Sequence, residues 1–229
     1  MKAKITEVFE SIQGEGKYTG QRQIFVRFFG CNMDCVWCDT PLSGNHADAH
    51  YQEFDLQELF NYVCSFTRDI HSISLTGGEP LLQKNFLKEF LRSLKANNFT
   101  TYLETNGVLH EELKDLLDDV DIIAMDLKMP TSTRRRAWWA EHEEFLKIAC
   151  AKEVFVKAVI SLKTTEEDFM RSVRLVAKID PKILYIIQPN YLDLEKNILD
   201  KCLQFQEEGL SLLANIKVMP QMHKLIGVR

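Results

Sequence analysis

A regular alternation of short apolar runs with longer amphipathic stretches is the feature that most limits how these 229 residues can fold. Runs rich in β-branched and aromatic residues predict strands, and stretches with apolar residues three or four positions apart predict helices. Such alternation is typical of parallel strands joined by helical crossovers. The predicted strands span 24–29, 72–75, 100–103, 121–125, 154–160 and 183–187, and the pattern extends to a seventh over 214–219.

The stretches between these strands predict helices over 55–65, 85–96, 111–117, 141–150, 165–179 and 195–208, with Asp55 as a helix N-cap. Six strand and helix units are two fewer than a closed eight-stranded barrel requires. The predicted fold class is therefore α/β, with a partial (β/α)6 barrel as a single domain over residues 1–229. A doubly wound open sheet is the alternative.

Composition excludes several classes of protein. A hydrophobic content of 45% in a chain of this length suits one globular core, and no apolar run is long enough to cross a bilayer. A net charge of -5 argues against a nucleic-acid substrate, because phosphate backbones require clustered positive charge. The first residues lack the apolar segment of a secretory signal, so we expect a cytoplasmic protein with reduced cysteines.

Three cysteines, Cys31, Cys35 and Cys38, fall within one short stretch and provide the strongest chemical signal. A 4Fe-4S cluster held by three thiolates leaves one iron open to a ligand, whereas an electron carrier closes all four positions. The alternative is a structural zinc site with His46 or His50 as the fourth ligand. The other cysteines, Cys64, Cys150 and Cys202, lie in predicted helices and are expected to be buried without chemical roles.

Polar and glycine-rich segments follow most of the predicted strands. Ligands of parallel α/β folds collect at the carboxyl ends of strands, where these segments would meet. The segments are 30–40, 76–80, 104–107, 126–130 and 188–191.

The cysteine spacing, with Trp37 just before the last cysteine, resembles the cluster loop of radical S-adenosylmethionine (SAM) enzymes, and Thr76-Gly77-Gly78-Glu79-Pro80 resembles their GGEP motif. From the residues alone, the second motif is equally a tight turn entering a helix. The resemblance implies a partial barrel of the radical SAM type, a catalytic 4Fe-4S cluster on the three cysteines, and bound SAM. The cofactor-binding residues it implies are Trp37, Cys38, Asp39, Gly78, Glu79, Glu104, Asn106, Asp126, Leu127, Lys128, Gln188, Pro189, Asn190 and Tyr191.

The segment 11–16, followed by Arg27, resembles the signature of 7-carboxy-7-deazaguanine synthases. The residues are compatible with a pterin, because Gln13 and Glu15 offer an amide and a carboxylate, and Arg27 offers a planar fork for a carboxylate. The same residues could form a simple turn and an exposed strand position. The substrate-binding residues implied by the resemblance are Ile12, Gln13, Gly14, Glu15, Arg27 and Thr76.

Asp39-Thr40, after the last cysteine, also resembles this family, which implies that Thr40 binds Mg2+ beside the substrate. Thr40 is otherwise a turn residue before Pro41. The resemblance implies conversion of 6-carboxy-5,6,7,8-tetrahydropterin to 7-carboxy-7-deazaguanine and ammonia, a flavodoxin- or ferredoxin-like electron donor, and a homodimer. Two rival functions stay open at this point, namely a glycyl-radical-enzyme activase and a non-enzymatic zinc or redox module.

Overall fold

The computed structural model describes residues 1–38, 50–66 and 69–228. The strands in them are β1 (Lys2–Ile12), β2 (Arg22–Phe28), β3 (Gln52–Asp55), β4 (Ser72–Gly77), β5 (Thr101–Thr105), β6 (Ile122–Asp126), β7 (Glu153–Ile160), β8 (Tyr185–Pro189) and β9 (Ile216–Val218). The helices are α1 (Leu56–Cys64), α2 (Lys84–Ala96), α3 (His110–Lys114), α4 (Pro130–Thr133), α5 (Trp139–Ala149), α6 (Glu166–Ile179), α7 (Ile198–Gly209) and α8 (Met222–Ile226).

All nine strands belong to one sheet with the order β3-β1-β2-β4-β5-β6-β7-β8-β9. From β2 to β9 neighbouring strands are parallel and follow chain order without a reversal. A doubly wound sheet would reverse its order at a switch point, so that alternative is wrong and the partial barrel is confirmed. The further strand predicted over 214–219 is present as β9.

Two antiparallel strands at the start of the order were not predicted. β1 pairs with β2, and β3 pairs with β1. Charged residues such as Lys4 and Glu7 interrupt the apolar pattern of β1, which has a register shift between Ile5 and Glu7. This strand becomes stable through long-range pairing with β2, which local sequence preference does not reveal.

Side chains alternate between the two faces of each strand. On β7, Val154, Val156 and Ala158 pack in the main core, while Phe155 lies in a separate interior cluster. That cluster fills the barrel near the amino ends of the strands and consists of Tyr102, Ile122, Ala124, Phe155, Leu184 and Ile186. Positions two residues further along the same strands are polar, including Glu104, Asp126, Lys157 and Gln188, so an apolar floor lies beneath a polar layer.

The helices cover the outer face of the sheet with apolar residues at helical spacing. Phe86, Leu87, Phe90, Leu91 and Leu94 of α2 are buried in the main core. Asp55 caps α1 as predicted, and its carboxylate accepts a bond from the backbone N–H of Glu58 at 2.9 Å. No helix in the described ranges is long and apolar enough to cross a membrane.

Candidate active site

A cavity of about 910 Å³ opens at the carboxyl ends of the parallel strands. Eighteen residues singled out from the sequence line it, namely Ile12, Gln13, Gly14, Glu15, Arg27, Cys31, Cys35, Trp37, Cys38, Thr76, Gly78, Glu104, Asn106, Asp126, Lys128, Gln188, Asn190 and Tyr191. The topology therefore brings the cysteine loop and the distant 11–16 segment to one space. Asp39 and Thr40 lie outside the described residues.

The cysteine loop leaves the end of β2 and packs against the glycine pair after β4. A Cβ atom at Gly78 would fall 2.0 Å from the carbonyl oxygen of Gly30, and one at Gly77 would fall 2.1 Å from that of Phe28. Since only glycine permits such close backbone contact, the glycine pair is required for the loop to approach the cavity. The backbone N–H of Glu79 donates to the Gly30 carbonyl at 2.8 Å and fixes the contact.

Trp37 belongs to the cysteine loop and is held against α4. Its indole N–H donates to the Oγ atom of Ser132 at 3.1 Å and to the Ser132 carbonyl at 3.0 Å. The Nζ atom of Lys128 lies 4.8 Å from the centre of a Trp37 ring. The aromatic face is thus fixed beside a cation on the cavity wall.

Three residues predicted to bind cofactor are buried outside the cavity lining, namely Glu79, Leu127 and Pro189. The carboxylate of Glu79 accepts hydrogen bonds from the backbone N–H groups of Leu81 and Asn106, at 3.1 and 2.7 Å, and from the Thr105 hydroxyl. Burial raises the pKa of Glu79 to about 7 although these hydrogen bonds oppose the shift. Its side chain anchors the end of β5 beneath the glycine pair.

Two buried polar atoms on the cavity wall have no hydrogen-bond partner within the described chain. They are the Oδ1 atom of Asn106 and the Oε1 atom of Gln188. Asn106 uses its amide nitrogen to donate to Asn32 Oδ1 at 2.7 Å, which ties the end of β5 to the cysteine loop. Because unpaired buried acceptors are costly, both atoms fit positions where a bound ligand donates hydrogen bonds.

Gln13 does not present a free amide to the cavity. Its Nε2 atom donates to Gln23 Oε1 at 3.0 Å and to Glu104 Oε1 at 2.9 Å, and its Oε1 atom accepts from the backbone N–H of Glu15 at 3.0 Å. The side chain is 3% exposed. Gln13 therefore orients Glu104 and Glu15, and the sequence argument for its amide as a recognition group misses these internal bonds.

Glu15 is an ionised carboxylate on the cavity wall. Burial alone would raise the pKa of Glu15, but the charge and hydrogen bond of Lys157, the Gln221 hydrogen bond and the charge of His223 lower it to about 2. Lys157 Nζ lies 2.6 Å from Glu15 Oε2, and Gln221 Nε2 donates to Glu15 Oε1 at 2.7 Å. The group can only accept hydrogen bonds, so it suits a ligand edge that carries N–H donors.

Arg27 projects from β2 into the same cavity. Its Nε–H donates to Glu7 Oε1 on β1 at 2.8 Å, and the two residues face each other across the strand pair. A guanidinium fixed through Nε keeps a planar fork with a defined direction, which suits a carboxylate ligand. Thr76 is the register neighbour of Arg27 on β4, so its side chain lies beside it on the wall.

Several residues of the site were not singled out from the sequence. Lys157, Glu7, Gln221 and His223 line the cavity. Lys157 carried a detectable signal, because a lysine in the middle of an apolar strand indicates a buried, paired charge. The others became visible only when distant segments met.

The six cysteines all lie in the described part of the chain, and none forms a disulfide. Cys202 is fully buried as expected, but Cys64 is half-buried and Cys150 is exposed at the end of α5. The expectation of burial was wrong for Cys150, which follows the last residue of α5 and is exposed there together with Ala151.

The three cysteines fit an iron–sulfur cluster, because thiolates are its protein ligands. Cys31, Cys35 and Cys38 line one wall of the cavity. In the part of the chain that the structure describes, no three Cys, His, Asp or Glu side chains converge on one metal position. Burial raises the pKa of Cys31 to about 11, so a positive charge at the site would favour its thiolate form.

Comparison with known proteins agrees with this geometry and defines the class of enzyme to which the chain belongs. The family model described as the radical SAM superfamily matches residues 25–201. The chain is thus a radical SAM enzyme, a class that uses a 4Fe-4S cluster and SAM. The crystal structure of QueE from Escherichia coli is similar in fold, with a TM-score of 0.67, 19% identity, and coverage of 97% of this chain and 95% of that one.

Similarity to curated relatives identifies the family within this class of enzyme. The chain is 34% identical to 7-carboxy-7-deazaguanine synthase of Geobacter sulfurreducens, over 98% of this chain and 97% of the relative. It is 33% identical to 7-carboxy-7-deazaguanine synthase of Methanothermobacter thermautotrophicus, over 100% of this chain and 99% of the relative. The chain belongs to the family of 7-carboxy-7-deazaguanine synthases. It is a radical SAM lyase of 7-deazapurine biosynthesis that acts on a small molecule.

Proposed function

We propose that this protein converts 6-carboxy-5,6,7,8-tetrahydropterin to 7-carboxy-7-deazaguanine and ammonia. The observation that carries the proposal is that one cavity joins the three-cysteine loop to a wall formed by Arg27 and ionised Glu15. A guanidinium matches the carboxylate of this substrate, and a carboxylate matches the N–H groups of its pterin ring. The names of the two curated relatives, both 7-carboxy-7-deazaguanine synthases, support the same reaction.

We assign the cofactor side of the cavity to the cysteine loop and the ends of the middle strands. Cys31, Cys35 and Cys38 hold the cluster. Trp37 would hold SAM on this side, and the unpaired oxygens of Asn106 and Gln188 would accept hydrogen bonds from it. The remaining residues assigned to SAM are Asp39, Gly78, Glu79, Glu104, Asp126, Leu127, Lys128, Pro189, Asn190 and Tyr191, of which Glu79, Leu127 and Pro189 act from behind the cavity wall.

We assign the substrate side to the antiparallel strand pair and the segment after it. Arg27 binds the substrate carboxylate, while Glu15 accepts hydrogen bonds from the pterin ring. Ile12, Gly14 and Thr76 complete this wall, and Gln13 orients Glu15 through its backbone N–H.

When bound, the cluster and SAM would supply the radical chemistry that removes a hydrogen atom from the substrate. The work of the chain is to place the substrate and to keep water from the reacting atoms. Arg27 and Glu15 bind the substrate at one wall of the cavity, and the cysteine loop would hold the cofactors at the other wall. The Glu15 carboxylate is already ionised and fixed in position before the substrate binds, so it needs no rearrangement during turnover.

Five further assignments belong to this proposal. Thr40 would hold a Mg2+ ion beside the substrate carboxylate, since hard cations prefer oxygen ligands. A flavodoxin- or ferredoxin-like protein reduces the cluster, and the enzyme is a cytoplasmic homodimer. Residues 1–229 act as one radical SAM domain, because one continuous sheet contains every strand of the described chain.

The test is an anaerobic assay of the iron-loaded protein with SAM, a reductant, Mg2+ and 6-carboxy-5,6,7,8-tetrahydropterin. We expect 7-carboxy-7-deazaguanine by mass spectrometry, with about four iron and four sulfide per chain. One zinc per chain would support the zinc module instead. Cluster loading and SAM cleavage without conversion of the pterin would overturn the proposed substrate and favour the glycyl-radical-enzyme activase.

A further inference from the structure

Lys157 is a buried cation at the base of the cavity whose side chain the assignments above do not use. It projects inward from the middle of β7, and its side chain is 3% exposed. Its Nζ atom lies 2.6 Å from Glu15, 3.8 Å from Glu104 and 3.8 Å from Asp126. Because a buried ammonium is costly unless it is paired, its position among three carboxylates indicates a specific task.

Of these three carboxylates, Glu15 depends most on Lys157. It alone lies within hydrogen-bond distance of Nζ. Glu104 also accepts hydrogen bonds from Gln13 and Ser74, and Asp126 accepts one from Lys128 at 3.0 Å. Removal of the Lys157 charge would therefore leave Glu15 with one neutral side-chain donor, Gln221, inside a largely buried wall.

Glu15 is held from three directions, and the geometry leaves acceptor capacity toward the cavity. Lys157 contacts its Oε2 atom, Gln221 contacts its Oε1 atom, and Gln13 fixes its backbone N–H. Each carboxylate oxygen can accept about two hydrogen bonds. Each oxygen thus retains room for one donor from a ligand on the open side.

We propose that Lys157 is a positioning residue for substrate binding, which fixes the Glu15 carboxylate in place and in its ionised form so that it accepts hydrogen bonds from the pterin ring. The inference rests on the proposed function. Lys157 acts through Glu15, and its own cation stays at the base of the cavity. The proposal explains why a charged side chain occupies an otherwise apolar strand position directly above Phe155 of the apolar floor.

The first experiment compares Lys157→Met and Lys157→Arg in steady-state kinetics with the pterin substrate. Truncation of one partner of a buried charge pair predicts a KM about 30-fold higher or more for Lys157→Met, with a smaller change in kcat. Lys157→Arg keeps the cation and should recover part of the loss. Lys95→Met is the matched control, because Lys95 pairs with Asp121 at the amino end of β6, outside the cavity lining. A KM for Lys157→Met within about twofold of wild type would overturn the proposal.

A second measurement reports on Glu15 without turnover. Glutamate labelled with 13C at Cδ gives a carboxyl resonance, which Glu15→Gln identifies by its absence. The titratable groups that face Glu15 and Lys157 are His223 on α8, Tyr102 and Glu104 on β5, and Asp126 on β6. Wild type should show no Glu15 titration between about pH 5 and 8, whereas Lys157→Met should bring its midpoint into that range, since burial is then opposed only by the Gln221 hydrogen bond and the His223 charge.

The double variant Glu15→Gln with Lys157→Met keeps the test valid if the single variant folds poorly, because it removes the unpaired buried charge. Its KM should equal that of Glu15→Gln alone, since Lys157 acts through Glu15. Additive losses would overturn the proposal, as would a Glu15 resonance that titrates alike in wild type and Lys157→Met. Absence of turnover by wild type would instead overturn the proposed function.

Discussion

His142 Nε2 accepts a hydrogen bond from the backbone N–H of Lys128 at 3.0 Å, while its Nδ1 atom lies 2.9 Å from the carbonyl oxygen of Gly107. One ring therefore links the segments that follow β5 and β6. Since a carbonyl only accepts and the Lys128 N–H only donates, the ring must be neutral with its proton on Nδ1. The imidazole is fully buried and fixes two walls of the cavity behind the SAM side.

This arrangement predicts a pH-dependent stability. Burial lowers the pKa of His142 to about 4, from 6.5 for a free histidine. The unfolded chain binds this proton more readily than the folded chain does. The contribution of neutral His142 to the free energy of unfolding is therefore complete above about pH 6.5 and is lost as the pH falls toward 4. The loss by pH 4 amounts to about 3 kcal/mol.

The measurement is urea unfolding of wild type and His142→Gln between pH 8 and 4. The variant should be less stable at pH 8, and the difference should shrink as the pH falls, because glutamine does not titrate. A difference that stays constant across this range would show that His142 is not held neutral.

Much of the fold was readable from the sequence, because seven parallel strands and their helices follow local patterns. The strand ends also located the cavity, since topology alone brings carboxyl ends of parallel strands together. Charged and polar positions such as Thr76 and Asp126 on inner strand faces could be placed there before any contact was known.

The hydrogen bonds and ion pairs between side chains of the site could not be predicted. Gln13 and Glu104 are 91 positions apart in the chain, and Glu15 and Lys157 are 142 apart. Such pairings depend on strand register and on the depth of each side chain in the barrel, neither of which a local pattern specifies. The internal hydrogen bonds of Gln13 were therefore not foreseen, and Lys157 was noted only as a residue of a predicted strand.

The proposed magnesium site predicts that Thr40→Val lowers turnover while cluster content stays unchanged. Valine keeps the shape of threonine and deletes its oxygen, the only atom the side chain can offer to a hard cation. Wild-type turnover should rise with added Mg2+, and the variant should respond far less. Identical Mg2+ titration curves would leave Thr40 as a turn residue.

The three-cysteine cluster predicts that Cys31→Ala, Cys35→Ala and Cys38→Ala each lose both iron and turnover, because three thiolates leave no spare ligand. Iron and sulfide analysis after anaerobic reconstitution checks this. Cys150→Ser is the control, since that thiol is exposed just after α5 and away from the cavity lining. Full iron content in all three alanine variants would contradict the cluster assignment.

The pairing of Arg27 with Glu7 predicts a selective defect for Arg27→Lys. Lysine keeps the charge but loses the planar fork and the Nε–H that bonds to Glu7 at 2.8 Å, so the cation can no longer be aimed at a carboxylate. We expect a KM for the pterin about tenfold higher, equivalent to about 1.4 kcal/mol. Cluster content and slow SAM cleavage without substrate should persist, because the cysteine loop is untouched.

Arg22→Lys provides a matched control for this prediction, because Arg22 lies on the same strand and also pairs with a glutamate of β1, Glu10, but outside the cavity lining. Both substitutions weaken one arginine–glutamate pair between β1 and β2, so any general cost to the strand pair is common to both. Only Arg27→Lys should raise the KM. Equal KM values for the two variants would remove Arg27 from the substrate site and assign its pairing with Glu7 to the stability of the strand pair alone.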